Sequence, residues 1–337
     1  MFQDKFIEQL IVKTGSKHEA AKLIQEQLHI AKDAAYRRLR GSTAFHPNEI
    51  ASLAKATKIS LDNIIGASES DLNIDFTFTP FDVTNPKYLS YFYDIFMRIY
   101  KTEGSNMTFV CKRIPYLYSF LSPIYLMFNV YFISKIITGL PPEGIDKFST
   151  KSIDRIGSNV KQNQSIGLGY TQLYYKINSI HIMNNNSIDD DILRIKYCFD
   201  SGLFATNEDA IVLLEDLSEL LKHMQKEASL GKKFFADEPD KMLGDLQVYR
   251  CEAINLEYLV YTDFVETEMA LFINNAGDYL ATSNKAFVQK SKQYINSMKK
   301  LSSKISAENE KERNQMFNAM QDKISRLTNY ISASTVI

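Results

Sequence analysis

The densest group of chemically capable side chains in this 337-residue chain is the stretch His29–Gly41, HIAKDAAYRRLRG, where Lys32, Arg37, Arg38 and Arg40 surround one acid, Asp33. Guanidinium and ammonium groups on one helix face donate to guanine O6 and N7 or to phosphate oxygens, which is the chemistry of double-stranded DNA recognition. With Ala35 and Leu39 facing inward, helical periodicity turns Lys32, Asp33, Tyr36 and Arg37 outward, with Arg40 close behind. Lys32 and Arg37 are then expected to reach bases or phosphate, and Tyr36 a thymine methyl or a backbone oxygen. Arg38 and Arg40 are better placed for phosphates. Lys17 and His18 at the start of the preceding helix, and the loop from Ser42 to Asn48, flank the groove and touch backbone, positioning the domain without specifying sequence. The competing reading is a plain solvated helix face.

Charge favours the first reading locally and not globally. Across the chain 39 basic residues meet 40 acidic ones, but residues 1–66 hold ten Lys/Arg against seven Asp/Glu, a formal +3, and the remainder is negative. Only the N-terminal block carries a charge suited to nucleic acid. Three cysteines, Cys111, Cys198 and Cys251, are widely spaced and odd in number, which fits a reducing cytoplasm better than a disulfide framework. The N-terminus mixes Asp4, Lys5 and Glu8 into its apolar pattern and reads as an amphipathic helix, not as a signal peptide.

Five short helices must hold the basic stretch in place. Phe2, Phe6, Leu10 and Ile11 recur at helical spacing up to Gly15. Ser16 with Glu19 three residues on forms a capping box that starts a second helix, running to about Leu28. The third spans about Ala31 to Arg40 and stops at Gly41. Pro47 suits the first turn of a fourth, and SLDNIIG offers Ser60 as the cap of a fifth.

The apolar positions Ile24, Leu28, Ile30, Ala35 and Leu39, the terminating Gly41 and the closing ISLDNIIG resemble the phage-repressor-like, or lambda-repressor-like, helix-turn-helix family over residues 1–66. The resemblance implies a five-helix domain with a scaffold helix, a tight turn and a recognition helix. Three positions depart from the pattern. His29 stands where glycine is usual in the turn, Gln25 where a small residue is usual on the scaffold helix, and Ala31 where a capping Ser or Thr is common.

The remaining chain is expected to be mainly α with an α+β C-terminal part. Residues 67–85 read as a linker with a possible edge strand, since Leu72, Ile74, Phe76 and Phe78 alternate. Residues 86–231 read as a mainly helical domain, with helices near 86–101, 123–138, 159–184, 190–203 and 207–228 and a short strand near MTFVC. Residues 232–337 read as strands followed by two terminal helices. From Ile114 to Ser134 no charge occurs, but Pro115, Pro123 and Asn129 argue for a buried helix over a membrane span.

No catalytic or metal-binding constellation emerges, and no cofactor is expected. The five histidines lack metal-site spacing. The Gly167 and Gly169 pair lacks both the third glycine and the preceding strand of a dinucleotide site, so it reads as a close helix contact. Asp189, Asp190 and Asp191 read as a helix N-terminus.

The stripe Phe317, Met320, Ile324, Leu327 and Ile331 is a candidate dimer seam, because recognition helices of this kind work as two-fold pairs on palindromic sites. Loss of residues 232–337 is therefore expected to abolish a homodimer. The aromatic clusters of the large region read as core before they read as an effector pocket. The expected function is a DNA-binding transcription regulator without enzymatic activity. A protein-interaction or antitoxin-like module is the alternative, and an enzyme with an appended DNA-binding domain a third.

Overall fold

Phe6 and Leu10 recur on one side of the first helix, α1 (Phe2–Thr14), and both are buried. Ser16 caps α2 (Lys17–Leu28) by accepting a 3.1 Å hydrogen bond from the Glu19 amide. The third and fourth helices are α3 (Lys32–Leu39) and α4 (Pro47–Thr57). Their apolar faces converge on Phe6, Ala20, Ala21, Ile24, Ala35, Leu39 and Leu53, with the Phe45 ring edge-on to Phe6 at 5.7 Å. Small residues at 20, 21 and 35 let the helix backbones approach closely. Leu28 and Ile30 are partly buried at the rim of this core.

The computed structural model describes residues 2–57, 59–61, 64, 76–79, 86–137, 139, 145–151, 158–256, 258–263, 268–273 and 278–334. The chain divides into two units, Met1–Asp75 and Phe76–Ile337. The expected fifth helix lies largely outside the described residues, though Ile59 and Ile64 are buried in the first unit's core. Most of the 67–85 segment is likewise outside them, with Leu72 and Ile74 among the residues concerned.

Among the described residues the second unit is α+β, built on one mixed sheet of eight strands in the order β1-β7-β6-β5-β2-β3-β4-β8. The strands are β1 (Thr77–Thr79), β2 (Asn106–Cys111), β3 (Asn178–Met183), β4 (Leu246–Arg250), β5 (Tyr258–Asp263), β6 (Glu268–Ile273), β7 (Tyr279–Thr282) and β8 (Ser303–Lys304). The centre, β2-β3-β4, is parallel, with Phe109 level with His181 and His181 with Val248. Both flanks are antiparallel. Helix α5 (Pro86–Lys101) leads into β2. Parallel neighbours require helical crossovers. α6 (Pro123–Phe132) and α7 (Ser158–Lys176) lie between β2 and β3; α8 (Asp189–Asp200) and α9 (Asn207–Leu230) lie between β3 and β4.

Side chains alternate across the sheet and build two cores. Phe109, Val248, Val260 and Leu271 join the larger core with the helices of the crossovers. Val110, Ile182, Leu259 and Ala270 join the smaller one under α10 (Lys285–Lys300), through Val288, Ile295 and Met298. The Thr206–Asp209 capping box starts α9, and Gly231, at φ +65°, ends it. Gly167 sits where a Cβ would lie 2.2 Å from the Phe120 ring, so its role is close packing, in line with the expected helix contact.

Three expectations are corrected here. The segment 159–184 is not one helix: α7 stops at Lys176 and Asn178–Met183 is a central strand. A strand covered on both faces carries no clean alternation, so its pattern merges with that of the preceding helix. A boundary at 231–232 is not present, because β2 and β3 from before it share one sheet with β4 to β8 from after it. Finally, Phe317, Met320, Ile324, Leu327 and Ile331 on α11 (Glu310–Ala333) are buried inside the chain in one core with Leu213, Leu217, Leu220 and Met224 of α9. Gln321 exchanges hydrogen bonds with the Ser218 side chain and carbonyl at 2.8 and 2.9 Å, fixing the register of the pair. The stripe is thus an intrachain seam and not a dimer face. Deleting 232–337 removes β4 to β8 with α10 and α11, which breaks the sheet itself.

At the centre of the larger core His181 is fully enclosed by Phe109, Tyr118 and Tyr174, and the Tyr174 hydroxyl meets its Nε2 at 2.5 Å. Burial, with a smaller push from Lys233, holds the imidazole pKa down to about 3. The unfolded chain takes up that proton near 6.5, so the stability His181 contributes is present above pH 6.5 and drains away as pH falls towards 3, at ~1.4 kcal/mol per pH unit. Denaturant midpoints measured from pH 7.5 to 4 are expected to fall more steeply for the native chain than for His181→Gln. Parallel curves would show that His181 does not govern the acid limb.

Candidate functional site

α3 is short, and its burial pattern follows from its sequence: Ala35 and Leu39 are buried, while Lys32, Asp33, Arg37 and Arg40 are exposed and Tyr36 is half-buried. The structure brings these five side chains onto the outward side of one helix. Lys17, His18 and Asn48 are also exposed, at the first turns of α2 and α4.

The turn before α3 depends on His29, which ends α2 in the left-handed conformation at φ 52° and ψ 42°. This is the conformation for which glycine is usual, so His29 supplies the same geometry with some backbone strain. Ala31 follows in extended conformation and makes no side-chain cap, which leaves the first-turn amides of α3 without a side-chain acceptor from that position. Gln25, in place of a small residue, folds its amide back onto the Ala21 carbonyl at 3.1 Å. Gly41, at φ +75°, closes α3, and the Ser42 hydroxyl and amide both bond to the Arg37 carbonyl.

The guanidinium groups are not equivalent. Arg38 forms a two-pronged pair with Glu49 of α4, Nε to Oε2 at 3.0 Å and Nη2 to Oε1 at 2.8 Å, and both side chains are mostly shielded. The Arg38 hydrogen bond is the main reason the Glu49 carboxyl is held below its ordinary pKa. Glu49 also accepts from the His46 amide at 3.0 Å, so the pair ties α3 to the start of α4. Position in the sequence assigns Arg38 to phosphate; the structure makes it a strut between helices. Arg37 instead lies 3.2 Å from Asp33 one turn earlier, with both side chains more than half exposed. Such a pair contributes little and is easily exchanged for another acceptor. Lys32 and Arg40 make no ion pair among the described residues.

The second unit contains a buried polar network that no sequence spacing announced. Lys233 is completely buried, and its Nζ donates to the Tyr174 carbonyl at 2.9 Å, to the Ile177 carbonyl and to Ser179 Oγ. It lies 4.0 Å from the Tyr174 ring centre. Glu227, also fully buried, accepts from the Tyr118 hydroxyl at 2.6 Å and the Phe234 amide at 3.2 Å, and lies 3.3 Å from His223 Nε2. These groups come from separate elements, so only tertiary folding brings them together. The acids at 189–191 begin α8 as expected and are all engaged: Asp189 with Lys323, Asp190 with Arg113 and Arg194, Asp191 with the Tyr125 hydroxyl at 2.7 Å. No described helix is long and apolar enough to cross a membrane.

No protein-family model, no curated protein and no solved structure matches this chain.

Proposed function

We propose that this protein is a cytoplasmic DNA-binding transcription regulator whose first unit is a lambda-repressor-like helix-turn-helix domain, with α3 entering the major groove. The observation that carries the reading is the two-sided character of α3: Ala35 and Leu39 hold it to the core while Lys32, Arg37 and Arg40 are exposed and Tyr36 is half-buried at the core's rim. Lys32 and Arg37 are the base or phosphate readers; Tyr36 meets a thymine methyl or a backbone oxygen. Arg40, Lys17, His18 and Asn48 position the domain on phosphate. The α2–turn–α3 geometry supports this assignment, because His29 adopts the backbone conformation that the turn requires.

A homodimer on a palindromic site remains part of the reading, since one short helix buries too little surface to select a site alone. Its interface lies elsewhere than the α11 stripe. The large unit is the effector-responsive part.

The test is selection of duplexes from a random library by the full chain, followed by affinity measurements across salt. A palindromic consensus is expected, with log affinity falling linearly in log salt at a slope of roughly −4 to −6, from the handful of cationic groups α2, α3 and α4 offer. An absence of salt-dependent duplex binding at about 50 mM salt, where such binding is strong, overturns the proposal and points to the partner-protein alternative.

A further inference from the structure

The second unit carries a surface cavity of about 720 Å³ between α7, α9 and the segment that follows α9, a size suited to a small organic ligand. Its walls are of two kinds. Leu121, Leu168, Leu220, Phe235 and Leu243 supply apolar surface, and the Phe235 ring is held flat against Tyr175, 4.4 Å between centres and 12° between planes. Asp216 stands among them.

The Asp216 carboxylate is fixed in place and half used. Its Oδ2 accepts from the Ser122 hydroxyl and, at 3.3 Å, from the Tyr125 amide; Oδ1 has no partner among the described residues. The other acids of the cavity differ: Glu219 is paired with Lys222 and Glu238 with Lys241, while Asp237 is exposed and is held by no side-chain hydrogen bond among the described residues. Lys176, also in the lining, has its Nζ 5.5 Å from the Tyr100 ring centre. Burial pushes the Asp216 carboxyl above its ordinary pKa, against the lowering effect of its two donors. A rigid, partly desolvated carboxylate beside an apolar wall is complementary to an ammonium group on an apolar body, because the cation restores what burial removed.

We infer that this cavity binds a small organic amine, its ammonium on Asp216 and its apolar or aromatic body against Phe235, Leu220 and Leu243. The inference goes beyond the DNA reading and stands without it. His223, which also lines the cavity, continues inward to buried Glu227 and from there to Tyr118. An occupant therefore touches a run of polar contacts that leads into the larger core, and this gives the amine a route to stabilise the unit.

The experiment is calorimetric titration of the full chain with phenethylamine, alongside 2-phenylethanol and phenylacetate as neutral and anionic counterparts of the same body. One-to-one binding of the amine is expected, with the alcohol weaker by about 10- to 100-fold and the acid weaker still, the margin of one charge-assisted hydrogen bond. Asp216→Asn keeps an acceptor for Ser122 and Tyr125 and should lose that margin, while its melting temperature stays within a few degrees of the parent. Leu168→Trp, at the exposed rim, should weaken all three ligands by obstruction. Amine binding that is absent, equal to that of the alcohol, or unchanged in Asp216→Asn overturns the inference. If Asp216→Asn fails to fold, the comparison of the three ligands on the native chain decides.

Discussion

Replacing Lys32 and Arg37 together by alanine is expected to weaken binding to the selected duplex by about two orders of magnitude, from roughly 1–3 kcal/mol for each well-formed interaction with a base. The same change should flatten the salt dependence by about one unit of slope for each phosphate-neutralising charge taken away. Both side chains are solvent-facing, so thermal unfolding of the first unit should be nearly unaffected.

Arg38→Ala gives the contrasting pattern. Removing the strut leaves the Glu49 carboxylate without its main partner, which lowers the stability of the helical unit by about 1–2 kcal/mol. Duplex affinity measured on the folded fraction should change far less than in the double mutant. Asp33→Asn supplies a third arm. It frees Arg37 from its partner at 3.2 Å and removes a negative charge from the outward side of α3, so duplex affinity should rise a fewfold at low salt. Electrophoretic or fluorescence titrations of these variants separate the roles. Equal losses for the double mutant and Arg38→Ala would show that stability, and not direct recognition of DNA, controls binding.

Lys233→Met is expected to destabilise the second unit by about 3 kcal/mol. The substitution preserves length and apolar bulk but strips the donor from three buried oxygens, those of Tyr174, Ile177 and Ser179. The Tyr174 carbonyl keeps the Ile177 amide and the Ile177 carbonyl keeps the Ser179 hydroxyl, so the cost is that of three lost charge-assisted hydrogen bonds, about 1–2 kcal/mol each, with relief from burying a charge offsetting part of the total. The position is sensitive because Lys233 reaches from the chain after α9 to the end of α7, just before β3, joining segments far apart in sequence.

The effect also carries a pH signature. Burial outweighs the attraction of Glu227 and Asp245 and pulls the ammonium down to about 7. Between pH 7 and 10.5 the unfolded chain then holds a proton that the folded chain lacks. The native protein should therefore gain stability relative to Lys233→Met as pH rises through this window. Chemical denaturation at pH 7 and 9 measures both parts. A neutral substitution at pH 7, or a stability difference that does not grow with pH, would refute this account.

The first unit is legible in the sequence because its determinants are local. Ser16 and Glu19 are three residues apart, Ala35 and Leu39 one helical turn, and Gly15 and Gly41 punctuate the chain where left-handed backbone is needed. His29 stands where the resembling pattern has glycine, and it adopts the left-handed conformation itself, at φ 52°. The role of Arg38 is not legible, because its partner Glu49 lies eleven residues away on another helix and nothing in the local pattern separates a strut from a phosphate ligand. The same holds for α11, whose spacing of apolar residues is identical for an intrachain seam and an intermolecular one.

Taken by itself, the sequence determined the amphipathic helices α1 to α4 with the Ser16 cap of α2, the outward set Lys32, Asp33, Tyr36, Arg37 and Arg40, and most of the described strands of the second unit. These follow from interactions spanning one or two turns or a single alternating run. Tertiary structure alone decided that β3 joins β2 and β4 at the sheet centre, that Phe317 to Ile331 face inward on α9, and that Asp216, His223, Glu227 and Lys233 stand where they do. Such pairings are selected by burial and by the need of every enclosed polar atom for a partner. Both are properties of the assembled core and leave no periodic trace along the chain.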